Sequence, residues 1–141
     1  MLGSMTNQSG AMGKKQFLKI HQKEGELYVG LMLDRKNGRD YHLFLMPNQI
    51  DTRRLSRRCA WQVAMDWAKS LGGDLPSSTE QALLMANAPE EFEKQCFWSS
   101  TVAENSPGLA WVRDFTNGAR YCYSKLDIYR ARAVRREYIE G

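Results

Sequence analysis

The sequence predicts an α+β fold: a β-hairpin, two helices, then a run of antiparallel strands. Three observations carry that expectation. Two short apolar runs, 27–33 (LYVGLML) and 41–46 (YHLFLM), flank the dipeptide Asn37-Gly38. Apolar residues between 57 and 71 recur at helical spacing. From Phe97 onward the chain reads as short alternating segments separated by turn residues. Elements arriving in blocks of one kind, rather than as strand–helix–strand units, imply an antiparallel sheet.

Residues 1–13 (MLGSMTNQSGAMG) are small, polar and without periodicity, so they read as a disordered tail or tag; the folded domain is expected over 14–141. In the hairpin, Asn37-Gly38 supplies two positive-φ positions at little cost, and Pro47-Asn48 ends the second strand. The first helix is expected over 57–71, with Ala60, Val63, Ala64, Trp67 and Leu71 on one face. Ser56 is its expected N-cap and Gly72-Gly73 its C-terminal stop. Leu75 precedes a proline and should be extended. Ser77 then caps a second helix, with Glu80 at capping-box spacing and Ala82, Leu83, Met85 and Ala86 as apolar positions, fading near Asn87-Ala88-Pro89.

Three or four strands should follow. Residues 97–101 (FWSST) are β-prone, and 109–115 alternate Leu109, Trp111 and Arg113 against Ala110, Val112 and Asp114. Asn117-Gly118 is a second turn signal leading into 119–125, and 128–136 alternate as a last strand. Trp98 is expected in the core; Trp111 is open between core and surface.

Composition narrows the function classes. The chain has 141 residues, is 43% hydrophobic and carries 11% aromatic residues, too large an apolar load for a disordered chain. No apolar run approaches the roughly 18 residues of a membrane span, and no secretory leader is evident. A soluble, cytoplasmic protein is expected. Net charge is +4, but residues 71–108 carry six acidic groups against one basic, while the flanking segments are basic. Cys59, Cys96 and Cys122 form no CxxC or CxxH pair, and His21 and His42 lie far from them, so neither a metal site nor another cofactor is expected. No phosphate-cradling glycine motif is present.

Several short motifs occur in a particular order. Trp61-x5-Trp67-Ala68 lies in the first helix, followed by Gly72-Gly73-Asp74-Leu75-Pro76-Ser77. Phe97-Trp98-Ser99-Ser100-Thr101 comes next, then Ala110-Trp111, Phe115-x-Asn117-Gly118, and Arg132-Ala133-Val134-Arg135. Over about residues 57–136 this series resembles the Lcl C-terminal domain family, a bacterial and phage family of largely unknown function, and implies a C-type-lectin-like fold. The turn after the first helix is one residue shorter than the family's Gly-Gly-x-x-Leu-Pro-Thr. The resemblance implies a ligand-presenting sheet and loops, with a host or phage protein, or a glycan, as partner.

The residues disfavour calcium-dependent sugar binding, because Glu104-Asn105-Ser106-Pro107-Gly108 and Trp111-Val112-Arg113-Asp114 break the required order and Arg113 places a cation among the acids. Ser99, Ser100 and Thr101 have no accompanying histidine or acid, so an enzyme is not expected. The final segments interleave arginine and tyrosine: Arg113, Arg120, Tyr121, Tyr123, Lys125, Tyr129, Arg130, Arg132, Arg135 and Arg136. Such residues dominate binding hot spots. Trp111, Arg113, Arg120, Tyr121 and Tyr123 are therefore the candidate ligand-binding set of a non-enzymatic interaction domain. The alternative reading of the same basic Arg/Tyr face is nucleic-acid binding, through phosphate pairing and base stacking.

Overall fold

A computed structural model describes residues 13–36, 38–48 and 57–139. Three helices, α1 (Lys14–His21), α2 (Trp61–Ser70) and α3 (Ser78–Asn87), combine with eight strands. The strands are β1 (Leu27–Met32), β2 (Tyr41–Leu45), β3 (Arg57–Cys59), β4 (Cys96–Val102), β5 (Leu109–Asp114), β6 (Arg120–Ser124), β7 (Tyr129–Ala131) and β8 (Val134–Tyr138). They form two sheets, ordered β1-β2-β8 and β3-β7-β4-β5-β6. All pairs are antiparallel except β4 with β7. This is the α+β class expected, with the last strand joining the N-terminal hairpin.

The hairpin forms where its apolar runs predict it, with a bulge between Tyr28 and Gly30. Asn37 and the tail over 1–12 lie outside the described residues. In β2, Tyr41, Leu43, Phe44 and Leu45 are all buried, because both faces are covered. Leu43 and Leu45 pack with Leu84, Phe92, Phe97 and Phe115. On the opposite face α1 lies over His42, with the Phe17 and His42 rings 4.2 Å apart. Helix α1 was not apparent in the sequence. At 8 residues it is too short to persist alone; Phe17 stacks on His21 within the helix and anchors it to the sheet through His42.

Three expectations are corrected. Residues 57–59 are a strand paired with 129–131, and the helix starts at Trp61 with Ala60 as an extended N-cap that offers no side-chain bond. Ser56, the expected cap, lies outside the described residues. The buried face of α2 is Trp61, Ala64 and Ala68, while Val63 stays exposed. Small side chains at 64 and 68 let the helix approach the sheet, and the Trp61 Nε1 donor to the Ser99 carbonyl (2.9 Å) fixes its rotation. Its end is as expected: Gly72, at φ +86, and Gly73 donate to the Lys69 and Ala68 carbonyls, a paired closure that requires a left-handed residue.

The second correction concerns α3. Its Ser77–Glu80 capping box is present, yet Ala82 and Ala86 face solvent, and Glu80, Gln81 and Leu84 are buried. Polar side chains occupy the interior because each has partners there. Gln81 Nε2 donates to the Phe97 and Trp98 carbonyls at 3.0 and 3.1 Å. Glu80 accepts from Arg136 and from the Tyr41 hydroxyl. Third, 128–136 form two strands in different sheets. The chain changes sheet at Arg132-Ala133, where buried Arg132 donates to the Glu91 and Met46 carbonyls.

Trp98 is fully buried beneath α2, and its Nε1 donates to the Cys59 carbonyl at 2.8 Å. Burial of a side chain of that size contributes about 4–6 kcal/mol. It centres the core between α2 and the larger sheet, while α3 packs against the other face through Leu84 and Phe97.

Candidate functional site

Strand β6 is the terminal strand of the larger sheet, and no described strand pairs with its outer side. The Asp114 N–Ala119 O and Lys125 N–Gly108 O bonds at its two ends set the phase of the ladder. Backbone groups of Arg120 and Cys122 therefore point away from β5.

Register divides the five candidate residues between two faces. Arg113 opposes Arg120 and Trp111 opposes Cys122, whereas Val112 opposes Tyr121 and Ala110 opposes Tyr123. Residues directly opposite in an antiparallel pair share a face. Trp111, Arg113 and Arg120 thus stand on the α3 side, and Tyr121 and Tyr123 on the α2 side. The structure brings the first three together and separates them from the tyrosines.

On the first face, the Arg120 guanidinium lies 4.0 Å above the Trp111 ring. Arg120 is exposed and Trp111 half-buried. Arg113 is anchored beside them, donating to the Gly118 carbonyl at 2.8 Å and the Ser78 carbonyl at 3.0 Å. Burial, with the neighbouring Arg120 charge, pushes the Arg113 guanidinium below its ordinary value. Like charges directly across a ladder oppose each other. On the second face, Tyr121, Tyr123 and Tyr129 form a stacked series with centroids 5.8 and 5.1 Å apart. It runs inward to Trp98, which meets Tyr129 edge-on. Tyr123 and Tyr129 pack on the core, and Tyr121 is the exposed end.

Most other cations of these strands are engaged inside the molecule. Arg130 donates to Gln95 Oε1 and lies 3.8 Å from Glu93. Arg132 is buried near Glu91; desolvation lowers its pKa, and Glu91 and Glu93 act against that. Arg135 pairs with Glu26 at 2.7 Å and Glu137 at 2.8 Å. Arg136 pairs with Glu80 at 2.6 Å and Asp74 at 2.8 Å. Lys125 lies over the Trp61 ring. Alternation of arginine and tyrosine is visible in sequence; the acid that takes each arginine is not, because every acid partner except Glu137 lies 37 or more positions away.

Sequence reasoning missed a second cluster. Phe17, Tyr28, His42 and Lys14 line a cleft of about 470 Å³. The Tyr28 hydroxyl hydrogen-bonds to His42 Nδ1 at 2.7 Å. Burial lowers the His42 pKa, as does the His21 charge, while Glu137 works the other way. Its only sequence signal was two histidines with aromatic neighbours in separate segments.

Among the described residues, no three histidine, cysteine, aspartate or glutamate side chains gather as a metal site. Cys59, Cys96 and Cys122 form no disulfide among themselves. No described helix is long and apolar enough to cross a membrane. No family model matches the chain, and no curated protein shows significant similarity to it.

Proposed function

We propose that the chain is a non-enzymatic interaction domain of C-type-lectin-like fold, related to the Lcl C-terminal domain family and of phage or prophage type. It engages a host or phage protein, or a glycan, in the host cytoplasm or on the virion. The fold reading draws support from the chain-closing layout: the N-terminal hairpin is hydrogen-bonded to β8, and the remaining strands make a second sheet beside two helices. The single observation that carries the binding role is the Arg120–Trp111 stack at an open sheet edge, with Arg113 directly across. Two neighbouring guanidiniums favour a carboxylate on the ligand. Trp111 adds apolar area, and the outward backbone groups of Arg120 and Cys122 can accept an extended segment as an added strand.

The test is capture from bacterial lysate with and without nuclease, comparing the wild type with a Trp111→Ala/Arg120→Ala variant. A discrete partner that survives nuclease and moderate salt, and is lost with the variant, is the expected result. A partner retained equally by the variant would mean the surface is misplaced; one that vanishes with nuclease would mean the ligand is nucleic acid.

A further inference from the structure

With the C-terminal arginines matched to internal partners, free positive charge concentrates elsewhere. Residues 14–23 (KKQFLKIHQK) carry four lysines and no carboxylate. Lys15, Lys19 and Lys23 follow at i, i+4 and i+8, advancing about 6 Å per lysine while the chain is helical. With Leu18, Gln22 and Gly25 they line a cleft of about 510 Å³, on whose rim Glu24 is the one carboxylate. Like charges one helical turn apart destabilise the helix that bears them, so a polyanion laid along the row would relieve a repulsion built into α1. Buried Glu26 is held by Arg135 and accepts from the Lys23 amide, and its charge also acts on the Lys23 side chain, so it offsets the row at its Lys23 end.

The consecutive residues Lys14 and Lys15 place the ring-walled cleft beside this row. Its walls are Phe17, Tyr28 and His42, with ring centroids 4.2 Å (Phe17–His42) and 5.5 Å (Tyr28–His42) apart. We infer that α1 and these two clefts form a binding site for single-stranded nucleic acid, with phosphates on the lysine row and a base in the aromatic cleft. Such ligands are held by a cationic track combined with π-faces on which unpaired bases stack. A duplex keeps its bases stacked internally and could use the lysines alone. A lipid surface would need a broad apolar face, but Phe17 is turned onto the sheet and Ile20 is the exposed apolar residue of the helix.

The test is fluorescence anisotropy of the full chain with a labelled mixed-sequence DNA single strand across a salt series. An abasic strand, a duplex and anionic vesicles serve as competitors. Log affinity should fall linearly with log salt. A Lys15→Gln/Lys19→Gln/Lys23→Gln variant should reduce the slope by about 2, at roughly 0.7 per neutralised phosphate, and weaken binding about tenfold or more at low salt. His42→Leu should weaken binding of the intact strand roughly fivefold or more and leave the abasic strand unaffected. Trp111→Ala/Arg120→Ala should change nothing in this assay, which separates its outcome from that of the sheet-edge reading. No binding at low salt, an unchanged slope in the lysine variant, or equal competition by abasic strand, duplex or vesicles would overturn the inference.

Discussion

Removing the guanidinium from Arg136 should be among the most damaging single changes in this molecule. Glu80 is fully buried and is bound by four donors. Arg136 Nε and Nη2 lie at 2.6 and 2.8 Å, the Tyr41 hydroxyl at 2.6 Å and the Ser77 amide at 2.8 Å. These contacts tie the start of α3 to β2 and β8. Burial alone would raise the Glu80 carboxyl, but the Arg136 bonds and charge, helped by Tyr41 and Ser77, hold it below its ordinary value. Arg136→Met would leave that carboxylate buried with no counter-charge. Breaking one side of such a pair costs about 3–5 kcal/mol, a large part of a domain's usual stability of roughly 5–15 kcal/mol. With an unfolding entropy of about 0.3 kcal/mol per kelvin for a chain this long, the midpoint should fall by about 10–17 °C. Thermal unfolding followed by circular dichroism measures it. Adding Glu80→Met removes the stranded charge, so the double variant should cost at least about 2 kcal/mol less than the sum of the singles. A shift of only a few degrees for Arg136→Met, or strict additivity, would refute the argument. The same pair sets a pH dependence. A depressed carboxyl stabilises fully above the unfolded value of about 4.3 and loses that contribution as pH falls through the folded value. Glu80→Gln should flatten urea-midpoint profiles in that acid range.

Other outcomes follow from geometry already described. Gly73→Ala would place a Cβ 2.4 Å from the Val134 carbonyl oxygen and from Met46 Sδ, so urea unfolding should show a loss of about 1–3 kcal/mol. Gly72→Ala meets no neighbour within 4 Å but must hold φ +86, and should cost about 1–2 kcal/mol in the same assay. Because His42 is depressed, chiefly by burial, its neutral form is the one that fits beneath α1. That contribution is complete above about pH 6.5 and fades as pH falls through the folded value, so amide protection factors over 14–21, taken relative to the intrinsic exchange rate at each pH, should fall in acid. An unchanged protection factor would show that His42 does not govern docking. In the native state Cys59 should react with alkylating reagents roughly tenfold or more slowly than in urea, because it is buried. Cys96, whose thiol burial and Asp114 push up, should be slowed as well, as mass spectrometry can count.

Local signals in the sequence were read well where the chain itself supplies the reason. The Asn117-Gly118 turn, the Ser77–Glu80 box and the Gly72-Gly73 closure depend on neighbours within a few positions, and each is present. Failures came where distant partners decide. Arg57 to Cys59 looked like a first helical turn until 129–131 supplied a strand to pair with. Ala82 and Ala86 looked like core, but Tyr41 and Arg136 make it favourable to bury Glu80 instead. In the candidate set, alternation was legible while its consequence was not. The Arg113–Arg120 register puts both arginines and Trp111 on one face and the two tyrosines on the other. Phe17 reveals its role only beside His42, from another element.

The pairing of β2 with β8 bears on how the molecule comes into being. Tyr41 and Tyr138 are register partners, so β8 must leave the ribosome before the small sheet can close. Until then the hairpin presents the edge of YHLFL, a β-prone and uncharged stretch able to pair with another nascent chain. Closure of the small sheet is therefore late in synthesis, and a chain truncated before Val134 would leave β2 without its β8 partner. Cells making this protein at high level should accumulate it in inclusion bodies when elongation stalls in that late stretch, and in soluble form when it does not.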